Sequence, residues 1–143
     1  EHCIKISDIR EGMVLDPFVG SGTTVRTAKK MTDNVEGYSL SGIGMDIDDG
    51  ETHNHENEDI DIYYDGKTIP FESNYFDSIF SSEVFEHIFE LENIIKELFR
   101  VCKPGGYMLL TVPFVWDEHE IPYDFGRYTS FGIKYLLNAL SRS

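Results

Sequence analysis

Two rhythms of apolar and polar residues run through this chain. Short, nearly continuous apolar runs end on a polar residue, and between them lie stretches with apolar residues every three or four positions. The first rhythm reads as buried strands and the second as amphipathic helices. Gly12 to Asp16 predicts a first strand, followed by a helix over Thr23 to Met31 that Thr32, Asp33 and Asn34 break. Gly42 to Ile47 predicts a second strand, Ile60 to Tyr64 a third and Phe76 to Ser81 a fourth. Glu83 to Phe89 reads as a short helix. Leu91 to Val101 is the most periodic helix, with Leu91, Ile94, Ile95, Leu98 and Val101 on one face and Glu92, Lys96, Glu97 and Arg100 outside. Lys103 suits its C-terminal dipole, and Pro104-Gly105-Gly106 is expected to stop it. Tyr107 to Phe114 predicts the most apolar strand, residues 115–129 an irregular aromatic loop, and Phe131 to Leu140 a last helix.

Strands alternating with helical segments predict an α/β fold: a doubly wound, mainly parallel sheet with helices on both faces. In such a sheet ligands gather beyond the carboxyl ends of the strands, where the strand order reverses. Asp16, Asp46, Asp65 and Ser82 all fall at predicted strand ends. Four polar residues at one rim exceed what loop composition alone would place there.

At 143 residues the chain reads as a single domain, 1–143, with enough length for a core. Its net charge of −14 argues against a nucleic-acid partner, which would need a basic face, and otherwise reads as a solubility feature. No apolar run approaches the roughly 20 residues of a membrane span, and no signal-peptide pattern opens the chain. Cys3 and Cys102 are too few for a disulfide framework, so a reducing cytoplasm is the expected location; Cys102 reads as a small buried apolar group. In the polar stretch 48–59, His53, His55, Glu56 and Glu58 lack the rigid spacing that aims metal ligands. A solvated loop explains them better, and no metal is expected.

Residues 14–24, VLDPFVGSGTT, carry the candidate chemistry. A strand ends at Asp16, Gly20 and Gly22 make a tight turn without side chains, and a helix opens at Thr23. Backbone can approach a ligand closely at such a turn, and the helix start offers unpaired N–H groups. An ordinary strand-to-helix connection has the same pattern, so the flanking elements carry the inference. Asp46 follows roughly two dozen residues later. That spacing suits a carboxylate that accepts from ribose hydroxyls, or one that caps the next turn.

Taken together, VLDPFVGSG, GIGMDID, YYDGKTIPF, FDSIFSSEVFEH and FRVCKPGGYMLLTVPF resemble a class I S-adenosylmethionine-dependent methyltransferase over residues 12–137. The resemblance implies S-adenosyl-L-methionine as cofactor. It implies that Asp16, Gly20 and Gly22 face its methionine portion, that Phe18 and Ser21 also bind the cofactor, and that Asp46 holds the ribose. Ile47 would pack on the adenine, Asp65 would accept from its amine with Gly66 beside it, and Ser82 and Glu83 would line the sulfonium end. The family's sheet has seven strands; here the last two are missing, so a C-terminally truncated chain is expected. The apolar fifth strand is then an open edge, which pairing in a homo-oligomer would cover. The link between the second and third strands is also short for the usual helix. The DPFVGSGTT turn also resembles DNA amino-methyltransferases, but Ser81-Ser82-Glu83-Val84 stands where those carry a proline pair. A nicotinamide-binding fragment is weaker still, because Val25 takes the place of a third glycine.

The segment PFVWDEHEIPYDFGRYT, residues 113–129, follows the fifth strand and can overhang the ligand rim. It is similar to a His-x-x-Pro-x-Asp-Phe-x-Arg-Tyr-Thr stretch in a branch of these methyltransferases. His119 is the candidate base or acceptor orienter; a loop histidine bonded to a backbone carbonyl is the other reading. His87, Tyr123, Arg127 and Tyr128 are candidate substrate residues, although pairing with Asp124 is the favoured reading of Arg127. Trp116, Tyr123 and Phe125 would wall the pocket or form a satellite core. The implied function is methyl transfer to a small-molecule acceptor, a hydroxyl of a sugar, lipid or metabolite. A non-catalytic or partner-dependent cofactor-binding module is the alternative.

Overall fold

The computed structural model describes residues 11–18, 39–47, 60–119 and 121–141. Five strands, β1 (Glu11–Asp16), β2 (Ser39–Ile47), β3 (Ile62–Tyr64), β4 (Phe76–Ser82) and β5 (Cys102–Thr111), form one sheet in the order β3-β2-β1-β4-β5. Every pairing is parallel. All strands therefore end on the same edge, and the order reverses between β1 and β4. The predicted helix Thr23–Met31, the glycine turn and the 48–59 loop lie outside the described residues.

The two described α-helices are α1 (Leu91–Val101) and α2 (Ser130–Leu140). Helix α1 has the predicted bounds, and it buries the predicted face against a core that includes Leu15, Met45, Phe76, Ile79 and Phe85. Burying one such aliphatic side chain contributes roughly 1.5–3 kcal/mol before chain entropy is counted. Ile133, Leu136, Leu137 and Leu140 of α2 pack on the same core. Thr129 caps α2: its hydroxyl accepts the Gly132 N–H at 2.9 Å.

Beyond α1, several boundaries differ from the sequence reading; β2 begins at Ser39 and β3 at Ile62. Helix α1 ends before the Pro-Gly-Gly stop because its last carbonyls find partners: Arg100 O accepts Asn74 N–H and Val101 O accepts Tyr75 N–H. The chain enters β5 directly at Cys102, which pairs with Phe76; the next pair is Ser78 with Tyr107, so Lys103–Gly106 bulge out of the ladder. Strand β5 ends at Thr111, not Phe114, because Pro113 has no N–H to donate. The helix expected over 83–89 shrinks to a 3₁₀ turn, Phe85–His87. Lys103 serves Asp77 (2.7 Å) rather than the helix dipole. Asp77 also accepts the Met13 N–H, tying β1, β4 and β5 together at the sheet's amino edge. Arg100 clamps the loop before β4, donating to Ile69 O, Phe71 O and Glu97, while Glu97 accepts the Ile69 N–H.

Candidate functional site

The parallel sheet brings the predicted strand-end residues to its carboxyl edge. Asp16, buried, ends β1 and pairs with Gly44, so Asp46 lies two positions further along the neighbouring strand. Asp46 and Ile47 pair with Tyr63 and Tyr64 of β3, and Asp65 follows directly. The Ile47 side chain reaches Gly66: a Cβ there would sit 3.0 Å from Ile47 Cδ1, and φ at Gly66 is +69°. Any side chain at 66 would fill the space beside Ile47. Asp65 Oδ1 accepts the N–H groups of Lys67 and Thr68 at 2.9 Å. Those two bonds, that of Thr68 foremost, hold its carboxyl below the usual range. Phe18 leaves β1 with its ring 6.0 Å from that of Tyr64. The Tyr64 hydroxyl is buried without a hydrogen-bond partner among the described residues, and burial, with Asp46 and Asp65 nearby, pushes its pKa well up. An apolar wall, carboxylates and an unsatisfied hydroxyl converge here, which fits an adenosine-like ligand. Gly20, Ser21 and Gly22 of the same predicted set lie outside the described residues.

Across the reversal point, the Ser82 hydroxyl bonds that of Thr111 at 2.8 Å. Glu83 follows with φ +54°, a left-handed conformation that a non-glycine residue adopts at a cost of about 1–2 kcal/mol. Its N–H is fixed to Thr111 O.

The 113–129 segment folds back over the 3₁₀ turn. Phe125 N–H donates to Glu86 O at 2.6 Å, and His87 Nδ1 donates to Tyr123 O at 2.7 Å. The His87 and His119 rings meet edge to face, with centroids 4.8 Å apart. Asp124 is the clasp: it accepts the His119 N–H and holds Arg127 bidentately. The guanidinium, first, and that N–H keep the Asp124 carboxyl well below the usual carboxylate range. Arg127 also donates to Gly126 O and Asp117 O, so its polar contacts are structural. Tyr128 lies over Gly126, where a Cβ would be 2.7 Å from its hydroxyl. Trp116 and Tyr123 are largely exposed, and Phe125 meets Phe89 outside the core.

One residue of this site escaped the sequence reading. Glu86 is fully buried, and among the described residues neither carboxylate oxygen has a hydrogen-bond partner. Burial, its largest influence, raises its pKa. On a regular helix over 83–89, Val84, Phe85 and Ile88 form the apolar face and Glu86 points away from it. The tighter 3₁₀ turn and the overlying 113–129 segment bury it instead. The adjacency of Glu86 and His87 was the available signal.

The family model described as a methyltransferase domain matches residues 15–110. The chain belongs to the methyltransferase-domain family. Its sheet and helices have the class I S-adenosylmethionine-dependent methyltransferase fold. Among curated proteins, it is 31% identical over 113 residues to phosphoethanolamine N-methyltransferase 2 of Caenorhabditis elegans, covering 76% of this chain and 25% of that protein. It is 35% identical over 105 residues to sterol 24-C-methyltransferase of Aspergillus fumigatus, covering 68% of this chain and 27% of that one. The chain thus spans about a quarter of the length of these relatives. Among solved structures, a chain from the complex of the Haloferax volcanii Trm112 methyltransferase activator with a methyltransferase superposes with TM-score 0.70 at 22% identity, over 92% of this chain and 62% of that one. Phosphoethanolamine N-methyltransferase 2 of Haemonchus contortus, solved with S-adenosyl-L-methionine, gives 0.64 at 19% identity over 91% of this chain and 33% of that one. No helix among the described residues is long and apolar enough to cross a membrane.

Proposed function

We propose that this methyltransferase domain binds S-adenosyl-L-methionine across the carboxyl ends of β1, β2 and β4 and transfers its methyl to a small-molecule acceptor. The acceptor atom in this reading is a hydroxyl of a sugar, lipid or other metabolite. The observation that carries the reading is the convergence of Asp16, Asp46, Ile47, Asp65 and Gly66 at one edge, beside the reversal of strand order. The cofactor supplies an electrophilic methyl on a positively charged sulfur. Asp46 accepts from the ribose hydroxyls, and Ile47 packs on the adenine. Asp65, with one oxygen committed to its own turn, turns the other to the adenine amine. Asp16, Phe18, Gly20, Ser21 and Gly22 cradle the methionine portion, and Ser82 and Glu83 border the reacting end.

The acceptor enters under the 113–129 segment. His119 is held through its backbone N–H by Asp124, and its Nδ1 lies 3.1 Å from Asp117 O. A ring anchored in that way orients an acceptor hydroxyl. His87, Tyr123 and Tyr128 complete that side, while Arg127 keeps the segment folded. Alignment of the acceptor oxygen about 3 Å from the methyl is the main contribution of such a scaffold to rate. The names of the relatives point to small acceptors, phosphoethanolamine and a sterol, and these differ in the atom that is methylated.

Calorimetric titration with S-adenosylhomocysteine is the direct test, followed by mass spectrometry of acceptor pools incubated with the donor. One-to-one binding and a product 14 Da heavier are expected. Binding without any product would favour the non-catalytic or partner-dependent module, and the absence of binding would overturn the assignment altogether.

A further inference from the structure

The 3₁₀ turn after β4 and the segment after β5 bring Glu86, His87 and His119 together, with one potential ligand atom from each lying within 4.8 Å of the others. We propose that these three side chains form a binding site for a divalent transition-metal ion. Three observations carry it. First, Glu86 is fully buried and neither of its oxygens accepts a hydrogen bond among the described residues. A buried carboxylate is retained when something compensates it, and nothing in the hydrogen-bonding of this turn does. Second, both imidazoles are held at Nδ1, and the proposed ligand atom of each is Nε2. His87 Nδ1 bonds Tyr123 O at 2.7 Å, and His119 Nδ1 lies 3.1 Å from Asp117 O. A carbonyl can only accept, so His87 Nδ1 is an N–H nitrogen and its Nε2 the basic one, while His119 Nδ1 faces Asp117 O, Asp124 Oδ2 and the Arg127 guanidinium together. This second shell of carbonyls is how metal-binding histidines are held. Third, His87 Nε2 already lies 3.8 Å from Glu86 Oε1.

Two imidazoles and one carboxylate suit zinc or ferrous iron rather than magnesium or calcium, which prefer all-oxygen shells. Around a tetrahedral ion with bonds near 2.0 Å, ligand atoms stand about 3.3 Å apart, so the triad must contract when the ion enters. Side-chain rotation allows that movement. The Arg127 guanidinium approaches His119 on the Nδ1 side, 3.4 Å away, and its charge is matched by Asp124. A three-ligand site keeps an open position. Resting on the methyl-transfer reading, the occupant of that position is the acceptor oxygen, whose proton the ion would make more acidic.

The test uses the 143-residue chain stripped of metal and titrated with zinc or cobalt(II). Calorimetry should give one site with micromolar or tighter affinity, and cobalt(II) should give the visible absorption of a low-coordinate complex. Zinc should raise the melting temperature of the native chain by several degrees. His119→Ala and Glu86→Gln should each weaken zinc binding at least tenfold, and His53→Ala/His55→Ala should leave it unchanged. Titration of each variant with S-adenosylhomocysteine checks that it is folded and tests the methyltransferase reading separately. Absence of zinc binding in a chain that still binds S-adenosylhomocysteine would overturn the metal site alone. Zinc binding that survives in His119→Ala and disappears in His53→Ala/His55→Ala would overturn it equally.

Discussion

At the scale of single residues, the carboxylates at the ligand rim divide by what they already hold. Asp65 caps two N–H groups of its own turn, and Asp46 accepts the adjacent Ile47 N–H. A residue that serves the backbone and one that serves the ligand should separate on substitution. Asp46→Ala is expected to weaken S-adenosylhomocysteine by about 10–100-fold, the worth of charge-assisted hydrogen bonds to hydroxyls, with little change in melting temperature. Asp65→Ala should lower both affinity and melting temperature, because Lys67 and Thr68 lose their acceptor. Calorimetry and thermal melts on the two variants check this, and wild-type affinity in Asp46→Ala would refute the ribose role. These strand-end acids were legible in the sequence because a strand that closes on a charged residue announces which way it points. The contacts of Arg127 were only half legible. A three-residue spacing from Asp124 suggests a pair, but only the fold shows that the same guanidinium also holds Gly126 O and Asp117 O. Glu86 was not legible, since its burial comes from a segment nearly forty residues away, through the Phe125 N–H bond to its carbonyl.

At the scale of elements, strong periodicity read true, and the turn chemistry after α1 did not. Helix α1 carries five buried apolar residues at helical spacing, and its bounds follow from that stripe. The chain immediately after it was misread because Pro104-Gly105-Gly106 looks like a helix stop. Its glycines serve the bulge instead. A Cβ at Gly106 would sit 2.8 Å from both Asp77 O and Cys102 Sγ and 2.9 Å from Lys103 O. Two of those three atoms are backbone and cannot give way without breaking the β4–β5 register. Gly106→Ala is therefore expected to cost roughly 2 kcal/mol or more, in the range of overpacked cores. For a domain of this size that is a fall of about 6–8 °C in melting temperature. Gly105, with φ +81° and open space around it, tests the other property of glycine. Gly105→Ala should cost less, about 1 kcal/mol, from backbone strain alone. Equal melting temperatures for the two variants would show that the bulge yields where the packing says it cannot.

At the scale of the whole molecule, the charge of −14 acts on every ligand that approaches the rim. Asp16, Asp46, Asp65 and Glu83 lie at that edge, so the field there is negative locally as well as overall. The methyl donor carries a cationic sulfur, and the spent cofactor carries a neutral one. A negative rim therefore attracts the donor more than the product and favours release once the methyl has gone. Asp65 and Glu83 are exposed and Asp46 half-buried, so this preference is screened over a Debye length of about 10 Å at 0.1 M salt. Raising sodium chloride from low to physiological strength should weaken the donor on the order of a few-fold and leave S-adenosylhomocysteine nearly unchanged. Paired titrations of the two cofactors across a salt series measure the difference directly. Parallel salt slopes would mean that the sulfur is shielded from the field of the chain. The acidity would then belong to solubility alone, and the rim carboxylates would act only through the hydrogen bonds they accept.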